Sequence, residues 1–219
     1  DTTIDDLHAL PKDLYDSKIL KVKNKTNGQL IIKEYPTASA HSGHFRSLMN
    51  ELALKKSFRP DVVFIDYLNI CASARFKGGN ISSYFYIKAI AEELRGLAVE
   101  FNVPIFSATQ TTRTGFVSTD IGLEDTSESF GLPATADFMF ALMSNEELEQ
   151  LGQMKVKQLK NRYNDPTIFK RFVVGIDRAK MRLYDSEQQA QEDILDSGQE
   201  EEYNKFKQKP KKSFSEFKF

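Results

Sequence analysis

The sequence lacks features that would place it in several large classes of protein. A single cysteine, Cys71, in 219 residues leaves no internal disulfide and no cysteine-rich zinc site. No apolar run approaches the roughly 20 residues that cross a bilayer, and no basic and apolar signal segment opens the chain. These absences lead us to expect a cytoplasmic protein that makes no membrane contact.

Two further absences concern the amino-terminal side of the chain. The sequence contains no Gly-Lys pair, and therefore no G-x-x-x-x-G-K-[ST] loop of the kind that cradles nucleotide phosphates. It also begins with Asp1 rather than with Met. We therefore expect the chain to be a fragment or a processed product, and we expect any phosphate loop to lie upstream of residue 1.

The charge is nearly balanced overall and uneven at the carboxyl-terminal end. With 30 Lys and Arg against 31 Asp and Glu, the net charge is −1. This balance argues against a protein that holds nucleic acid by bulk charge, but it leaves room for a local grip on a few phosphates. Residues 185–202 hold eight acidic and no basic residues, and from Lys205 onward six lysines face Glu216 alone. We predict that residues 185–219 form a polar, disordered tail.

The clearest pattern in the chain is a buried strand that ends in a carboxylate. Val62, Val63, Phe64 and Ile65 are apolar, and Asp66 follows them. Such a run predicts a strand covered on both faces, as in a parallel sheet, whose ligands bind beyond the carboxyl ends of the strands. Asp66 then stands where a Walker B aspartate holds the magnesium ion of a bound nucleotide. A core strand that happens to end in aspartate explains the pattern equally well.

Hydrophobic periodicity predicts an α/β fold. The predicted helices cover residues 44–56, 82–101, 129–136 and 145–153, and the predicted strands cover residues 30–35, 62–66, 103–108, 137–143, 155–160, 168–176 and 181–184. We expect Ser42 to cap the first helix. The order of elements predicts a mostly parallel sheet with helices on both faces, extended at one edge by antiparallel strands.

Gln110 follows the strand after the one that ends in Asp66. In a parallel sheet both carboxyl ends open on the same edge, so the two side chains are expected to share one pocket. An amide beside a magnesium-binding aspartate suits a group that senses the terminal phosphate or positions the attacking water. The alternative is a loop glutamine that hydrogen-bonds to backbone.

Lys160 and Arg162 lie two residues apart at the end of a basic strand. Alternation places both on one sheet face, where their charges repel unless an anion lies between them. One interpretation is a solvated basic edge that prevents aggregation. The other is an arginine offered to the phosphate of a neighbouring subunit, an arrangement worth about 10³ to 10⁵ in rate where it operates.

Five segments, in this order, resemble the RecA-type motor domain of DnaB-family replicative helicases. They are residues 62–68 (VVFIDYL), 108–113 (ATQTTR), 125–129 (DTSES), 136–137 (AD) and 160–162 (KNR). Residues 45–48, 89–95 and 128–138 are similar, more narrowly, to the replicative helicases of T-even-type bacteriophages. The resemblance spans residues 28–184, and five motifs in the same order and spacing form a specific signal.

The resemblance implies a nucleotide site that uses ATP and Mg²⁺. It makes Asp66 the magnesium-associated aspartate and Gln110 the sensor of the γ-phosphate. Lys160 and Arg162 match a trans-acting piston and arginine finger, which reach the ATP of the adjacent subunit. The family's phosphate loop and catalytic glutamate fall upstream and are absent here. We therefore expect ATP-dependent DNA helicase activity of the parent chain and none of this chain alone.

The resemblance also implies two loops that hold single-stranded DNA in the channel of a hexameric ring. In the first loop, residues 75–80, Arg75 and Lys77 are expected to bind phosphates. The second loop, residues 125–131, follows the sugar-phosphate path and contains Ser127, Glu128, Phe130 and Gly131. Ser127 stands where family members usually carry Arg, which weakens the expected grip of this loop.

The same resemblance gives a domain organisation and a set of partners. Residues 1–27 are expected to be a remnant of the motor domain, residues 28–184 the RecA-like core without its phosphate loop, and residues 185–219 the tail. The implied partners are single-stranded DNA, further copies of the chain, and the helicase loader, primase and polymerase of a replisome, in the host cytoplasm if the protein is phage-encoded. Two other interpretations stay open: a RecA-like recombinase or other ring ATPase, and a non-catalytic RecA-fold binding module.

Overall fold

Helices and strands alternate through most of the chain in the computed structural model, which describes residues 2–76, 81–112, 121–126, 131–165 and 168–186. The helices are α1 (Ile4–Ala9), α2 (Lys12–Lys25), α3 (Ser42–Lys56), α4 (Ser83–Phe101), α5 (Gly131–Thr135) and α6 (Glu146–Gln150). The strands are β1 (Val63–Ile65), β2 (Ile105–Ser107), β3 (Phe138–Met143), β4 (Gln153–Asn161), β5 (Arg171–Asp177) and β6 (Arg182–Asp185). Among these described segments, no helix has the length and apolar character that a membrane span requires.

The chain divides into two compact units. The first unit draws on Asp1–Lys18, Leu142–Gln158 and Thr167–Phe219, and the second on Ile19–Ala141 and Leu159–Pro166. All the candidate site residues that the structure describes belong to the second unit. The packing of that unit therefore determines where these residues lie.

The core of the second unit is built on one face of α4. Ser82 precedes this helix in an extended conformation, and Asn102 ends it in the left-handed region at φ 51°, where asparagine is tolerated. The buried face includes Ile90 and Leu97, which are 1% and 0% exposed. Truncating either side chain to alanine is expected to cost about 2–5 kcal/mol, because a cavity would remain in a close-packed core. The helix predicted from spacing is confirmed.

The parallel pair β1–β2 carries one packed face and one open face. Ile65 packs against the buried cluster on α4. Phe64 points the other way, as the two-residue period of a strand requires, and is 72% exposed. Its ring stacks on that of Phe106 at 5.3 Å between centroids. The expectation that this strand is covered on both faces is therefore wrong for the described residues, which cover only one side.

Two local predictions fail for tertiary reasons. The strand predicted at residues 30–35 has no regular structure, and Leu30 and Ile32 are 81% and 83% exposed, because no described strand pairs with this segment. The cap predicted at Ser42 lies one residue earlier. His41 accepts a hydrogen bond from the N–H of Gly43 through Nδ1 at 3.0 Å, and Ser42 becomes the first helical residue.

The strands of the carboxyl-terminal half follow the predicted antiparallel pattern. β4 pairs with β5, with Met154 opposite Val174, and β5 pairs with β6, with Ile176 opposite Leu183. The α/β class with parallel and antiparallel strands is thus confirmed. Among the described residues the strands form a parallel pair, β1–β2, and a four-stranded sheet in the order β3–β4–β5–β6, where one continuous sheet was expected.

Candidate functional site

The carboxyl ends of β1 and β2 bring Asp66 and Gln110 to one edge of the parallel pair. Ile65 and Ser107 are the last aligned residues, and the Ser107 hydroxyl donates to the Ile65 carbonyl at 2.8 Å. Asp66 follows Ile65 directly, and Gln110 lies three residues past Ser107. Both candidate nucleotide-binding residues therefore leave the sheet on the same side.

Two side-chain hydrogen bonds tie the loops after β1 and β2 together. Gln110 donates from Nε2 to the hydroxyl of Tyr67 at 3.3 Å, and Thr109 donates from its hydroxyl to Oδ1 of Asn69 at 2.9 Å. The amide of Gln110 is thus bonded to a side chain of the neighbouring loop rather than to backbone. Tyr67 directly follows Asp66 in the sequence. Its hydrogen bond to Gln110 therefore links the amide to the loop after β1.

Asp66 is an open carboxylate. It is exposed, and its side chain forms no hydrogen bond or ion pair with a described residue. Mg²⁺ prefers oxygen ligands and is commonly bound by one or two carboxylates together with substrate phosphates and waters. Within the described part of the chain, no three His, Cys, Asp or Glu residues cluster closely enough to hold a metal ion by themselves. The site therefore fits one protein carboxylate that shares Mg²⁺ with a nucleotide, and it does not fit an all-protein metal cage.

Lys160 is held by the carboxyl-terminal turn of α5. Its ammonium group donates to the carbonyl oxygens of Pro133 at 2.5 Å and Ala134 at 3.3 Å. The last carbonyls of a helix have no partner within the helix and carry partial negative charge, so a cation suits this position. Burial lowers the pKa of Lys160, and the nearby guanidinium of Arg162 lowers it further.

Arg162 shares a carboxylate with a second arginine. Its Nη1 lies 3.0 Å from Oδ1 of Asp137, and Nη1 of Arg95 lies 2.5 Å from Oδ2 of the same side chain. The hydrogen bond from Arg95 lowers the pKa of Asp137, burial opposes this, and Arg162 lowers the pKa further. The sequence led us to expect an anion between Lys160 and Arg162. Asp137 is that anion for Arg162, whereas Lys160 donates to backbone carbonyl oxygens instead.

The residues proposed to contact DNA are only partly described. Arg75 is exposed, and its guanidinium pairs with Glu92 at 2.5 Å. Gly131 is buried as the first residue of α5, and its carbonyl accepts a hydrogen bond from the Thr135 hydroxyl at 2.9 Å. The remaining predicted DNA contacts lie outside the described residues: Lys77, Ser127, Glu128 and Phe130.

Sequence analysis missed a polar cluster around Glu93, which lies next to residues 73–75. Glu93, half-buried on α4, accepts hydrogen bonds from the hydroxyls of Ser42 and Ser73 and from the N–H groups of Ala74 and Arg75. Burial alone would raise the pKa of Glu93, but these hydrogen bonds outweigh it and lower the pKa. A glutamate at an inward position of an amphipathic helix was the signal that could have indicated such a centre, since an unpaired charge there would be costly.

Similarity to known proteins indicates the class of protein to which the chain is related. No protein-family model matches the chain. The chain is 44% identical over 186 residues to the DnaB-like replicative helicase of Enterobacteria phage T4, a match that covers 84% of the chain and 39% of the phage protein. Over most of its length, this chain is a relative of a DnaB-like replicative helicase. It spans about two fifths of the length of the T4 helicase.

Solved structures agree on the fold. The chain superposes on an ATPase domain of known structure with a TM-score of 0.64 and 18% identity, covering 81% of this chain and 61% of that domain. It superposes on a DnaB-like replicative helicase, whose interactions with primase are described with its structure, with a TM-score of 0.63 and 19% identity, covering 81% of this chain and 43% of that one. Over most of its length the chain therefore has the fold of a RecA-like ATPase domain.

Proposed function

We propose that this chain is part of the motor of a replicative DNA helicase, which couples ATP hydrolysis to movement along single-stranded DNA and to unwinding at the replication fork. The observation that carries the proposal is the 44% identity to the phage T4 DnaB-like replicative helicase over 84% of the chain. Residues 28–184 would form the motor core and residues 185–219 the tail.

The nucleotide site of the proposed motor uses the edge formed by β1 and β2. Asp66 contributes its carboxylate to Mg²⁺, which when bound neutralises charge on the phosphates. Gln110 senses the γ-phosphate, and its position is set by the hydrogen bond to Tyr67. The phosphate loop must come from sequence other than this chain, which contains no Gly-Lys pair, so this chain alone should not hydrolyse ATP.

The cationic side chains of the proposed motor act across a subunit boundary. Arg162 and Lys160 would reach the ATP of the next subunit in a hexameric ring, where they stabilise negative charge during phosphoryl transfer. The ion pair with Asp137 and the hydrogen bonds to α5 keep them at one place on the surface until that contact forms.

The DNA-binding part of the proposal rests on two loops. Arg75 and Lys77 in one loop, and residues 127–131 in the other, would contact the sugar-phosphate backbone. A ring that surrounds its strand prevents dissociation by topology, so a chain with a net charge of −1 needs only a few contacts per subunit. Primase, a helicase loader and the replicative polymerase are the proposed protein partners, in the cytoplasm of the host cell.

The proposal is tested by mixing two inactive variants of a protein that contains this chain and a phosphate loop. Asp66→Asn lacks the magnesium carboxylate but offers an intact Arg162, and Arg162→Ala has an intact site but no finger. In a ring with head-to-tail interfaces, about a quarter of the interfaces of an equal mixture combine the two intact halves. We expect DNA-stimulated ATP hydrolysis to return in the mixture, although each variant alone is inactive.

The matched control replaces Asp66→Asn by the double variant Asp66→Asn/Arg162→Ala. Recovery must then disappear, because no subunit supplies a finger. If the original mixture stays inactive while wild type hydrolyses ATP, Arg162 does not act in trans. A wild-type protein that neither hydrolyses ATP nor binds single-stranded DNA would instead favour the non-catalytic RecA-fold module, which no feature of the described site supports at present.

A further inference from the structure

Three segments of the second unit converge on one carboxylate, that of Glu93 on α4. Its Oε2 accepts a hydrogen bond from Ser42 at 2.8 Å, and its Oε1 accepts one from Ser73 at 2.6 Å. The N–H of Ala74 lies 2.9 Å from Oε2 and that of Arg75 lies 3.3 Å from Oε1. Glu93 therefore joins the start of α3, the middle of α4 and the chain that enters the loop of residues 75–80.

The two serine hydroxyls that donate to Glu93 are both buried. Ser42 does not cap α3, since His41 does so, and its buried hydroxyl turns to Glu93. Ser73 is also buried, at 5% exposure, and its hydroxyl oxygen accepts a second hydrogen bond, from the N–H of Arg75 at 3.2 Å. The backbone at Arg75 is thus held both directly by Glu93 and through Ser73.

The adjacent residue of α4 controls the side chain of the same arginine. Glu92 pairs with the Arg75 guanidinium at 2.5 Å and with Lys88 at 3.8 Å, on an exposed surface where such pairs are weak. Glu93 fixes the backbone of Arg75, and Glu92 holds its guanidinium loosely. The Arg75 side chain therefore starts from a defined position, and its guanidinium can exchange Glu92 for an anion that binds it more strongly, such as a phosphate.

We propose that Glu93 is a positioning residue for DNA binding: it fixes the entry to the loop of residues 75–80, so that Arg75 meets a phosphate of the bound strand. The inference rests on the proposed function, because it names the residue that orients one of the proposed DNA contacts. A glutamate that only stabilises the packing of α3 on α4 would support the fold without any selective effect on DNA.

The experiment compares Glu93→Ala with wild type in a protein that contains this chain and a phosphate loop. The measured quantities are the Kd for a fluorescent oligothymidylate at several salt concentrations, the rate of DNA-independent ATP hydrolysis, and Tm. We expect Kd to rise about tenfold, as for the loss of one oriented charge-assisted contact. The slope of log Kd against log salt concentration should fall by about 0.7, since one phosphate contact to a single strand is lost. DNA-independent hydrolysis should stay within a factor of about two of wild type.

Glu100→Ala is the matched control. Glu100 lies on the same helix and also accepts hydrogen bonds from an α3 residue, Arg46, at 2.8 Å, but it makes no described contact with residues 73–76. Its Kd for DNA and its salt slope should equal those of wild type. If Glu93→Ala changes the Kd for DNA or the salt slope more than Glu100→Ala does, the difference arises from the altered position of residues 73–76. It does not arise from the loss of a contact between α3 and α4.

Ser73→Ala keeps the experiment decisive if Glu93→Ala does not fold. This variant removes the hydroxyl between Glu93 and the Arg75 N–H but leaves the carboxylate, so we expect a smaller rise in Kd and a smaller reduction of the salt slope than for Glu93→Ala. The inference is overturned if both variants bind DNA as Glu100→Ala does, or if Kd, basal hydrolysis and Tm deteriorate together with an unchanged salt slope. Failure of wild type itself to bind oligothymidylate would overturn the proposed function as well.

Discussion

The two halves of the candidate site differ in how their charged groups are satisfied. At the edge of β1 and β2, Asp66 is exposed, and its side chain forms no hydrogen bond or ion pair with a described residue. Gln110 has one hydrogen bond of 3.3 Å, to Tyr67. Around Asp137, by contrast, Arg162 and Arg95 are paired with one carboxylate. The carboxylate that we propose to bind a ligand of its own subunit is open, whereas the cation that we propose to act on a neighbouring subunit is paired with a local carboxylate.

The largest effect should come from the open half. Asp66→Asn removes the carboxylate that we propose to share Mg²⁺ with the nucleotide, so DNA-stimulated hydrolysis should fall by about 10²-fold or more. Stability should change by less than about 0.5 kcal/mol, because the side chain has no described partner to lose. Steady-state ATP hydrolysis and urea unfolding measure the two quantities. Asp61→Asn, an exposed aspartate before the same strand, is the control, and equal loss in both variants would contradict a specific role of Asp66.

The paired half should respond in the opposite way, with a cost in stability. Asp137→Asn leaves two guanidinium groups and the Lys160 ammonium close together without their anion. We expect a loss of about 1–2 kcal/mol in the free energy of unfolding, limited by solvent screening of these half-exposed side chains. A double-mutant cycle with Arg162→Ala isolates the pair. A coupling energy near zero would mean that Asp137 does not hold Arg162 in solution.

Acid should reduce the stability that the ion pairs of Asp137 contribute. Because the arginines lower the pKa of Asp137 below its ordinary value of 3.8, the stabilisation is complete above that value. It is lost as the pH falls through the lowered pKa, when the carboxyl takes up a proton. The difference in unfolding free energy between wild type and Asp137→Asn should therefore shrink below about pH 3.8. A difference that stays constant down to about pH 2 would show that ionised Asp137 contributes nothing.

Predictions from the sequence agree with the structure where a feature depends on neighbouring residues. They fail where the feature depends on contacts between residues that are distant in sequence. Periodicity was enough for α4, and a strand run followed by a polar residue was enough to place Asp66 and Gln110 at one edge. Glu93 at an inward helix position could have indicated a polar centre, but its partner Ser42 lies 51 residues away in sequence, so no local pattern identifies that contact. The sequence also did not predict the exposed face that carries Phe64. An apolar run does not indicate which face of the strand the rest of the molecule covers.

The same distinction between local and long-range contacts explains the strand wrongly predicted at residues 30–35 and the ion pair that the motifs did not predict. Residues 30–35 have strand-like composition, yet a strand forms only where a partner supplies the hydrogen bonds, and pairing is a tertiary property. The pairing of Arg162 with Asp137 spans 25 residues, although both residues lie in motifs that were recognised separately. Motif recognition finds such residues one by one, while the contact between them has to come from the fold.

The smallest effect should come from Tyr67→Phe, which sharpens the contrast within the open half. The substitution removes the hydroxyl that accepts from Gln110 but keeps the ring. Since Asp66 remains in place, DNA-stimulated hydrolysis should fall only about three- to tenfold, the scale of a misplaced rather than a missing group. Stability should stay within about 0.5 kcal/mol, because the bond is exposed and long. If Gln110→Ala and the double variant Tyr67→Phe/Gln110→Ala hydrolyse ATP at the same rate, the hydroxyl acts only through Gln110. If the double variant is slower by the full factor of the tyrosine change, Tyr67 contacts the nucleotide or its water independently, and the loop after β1 would supply two ligand-facing groups instead of one.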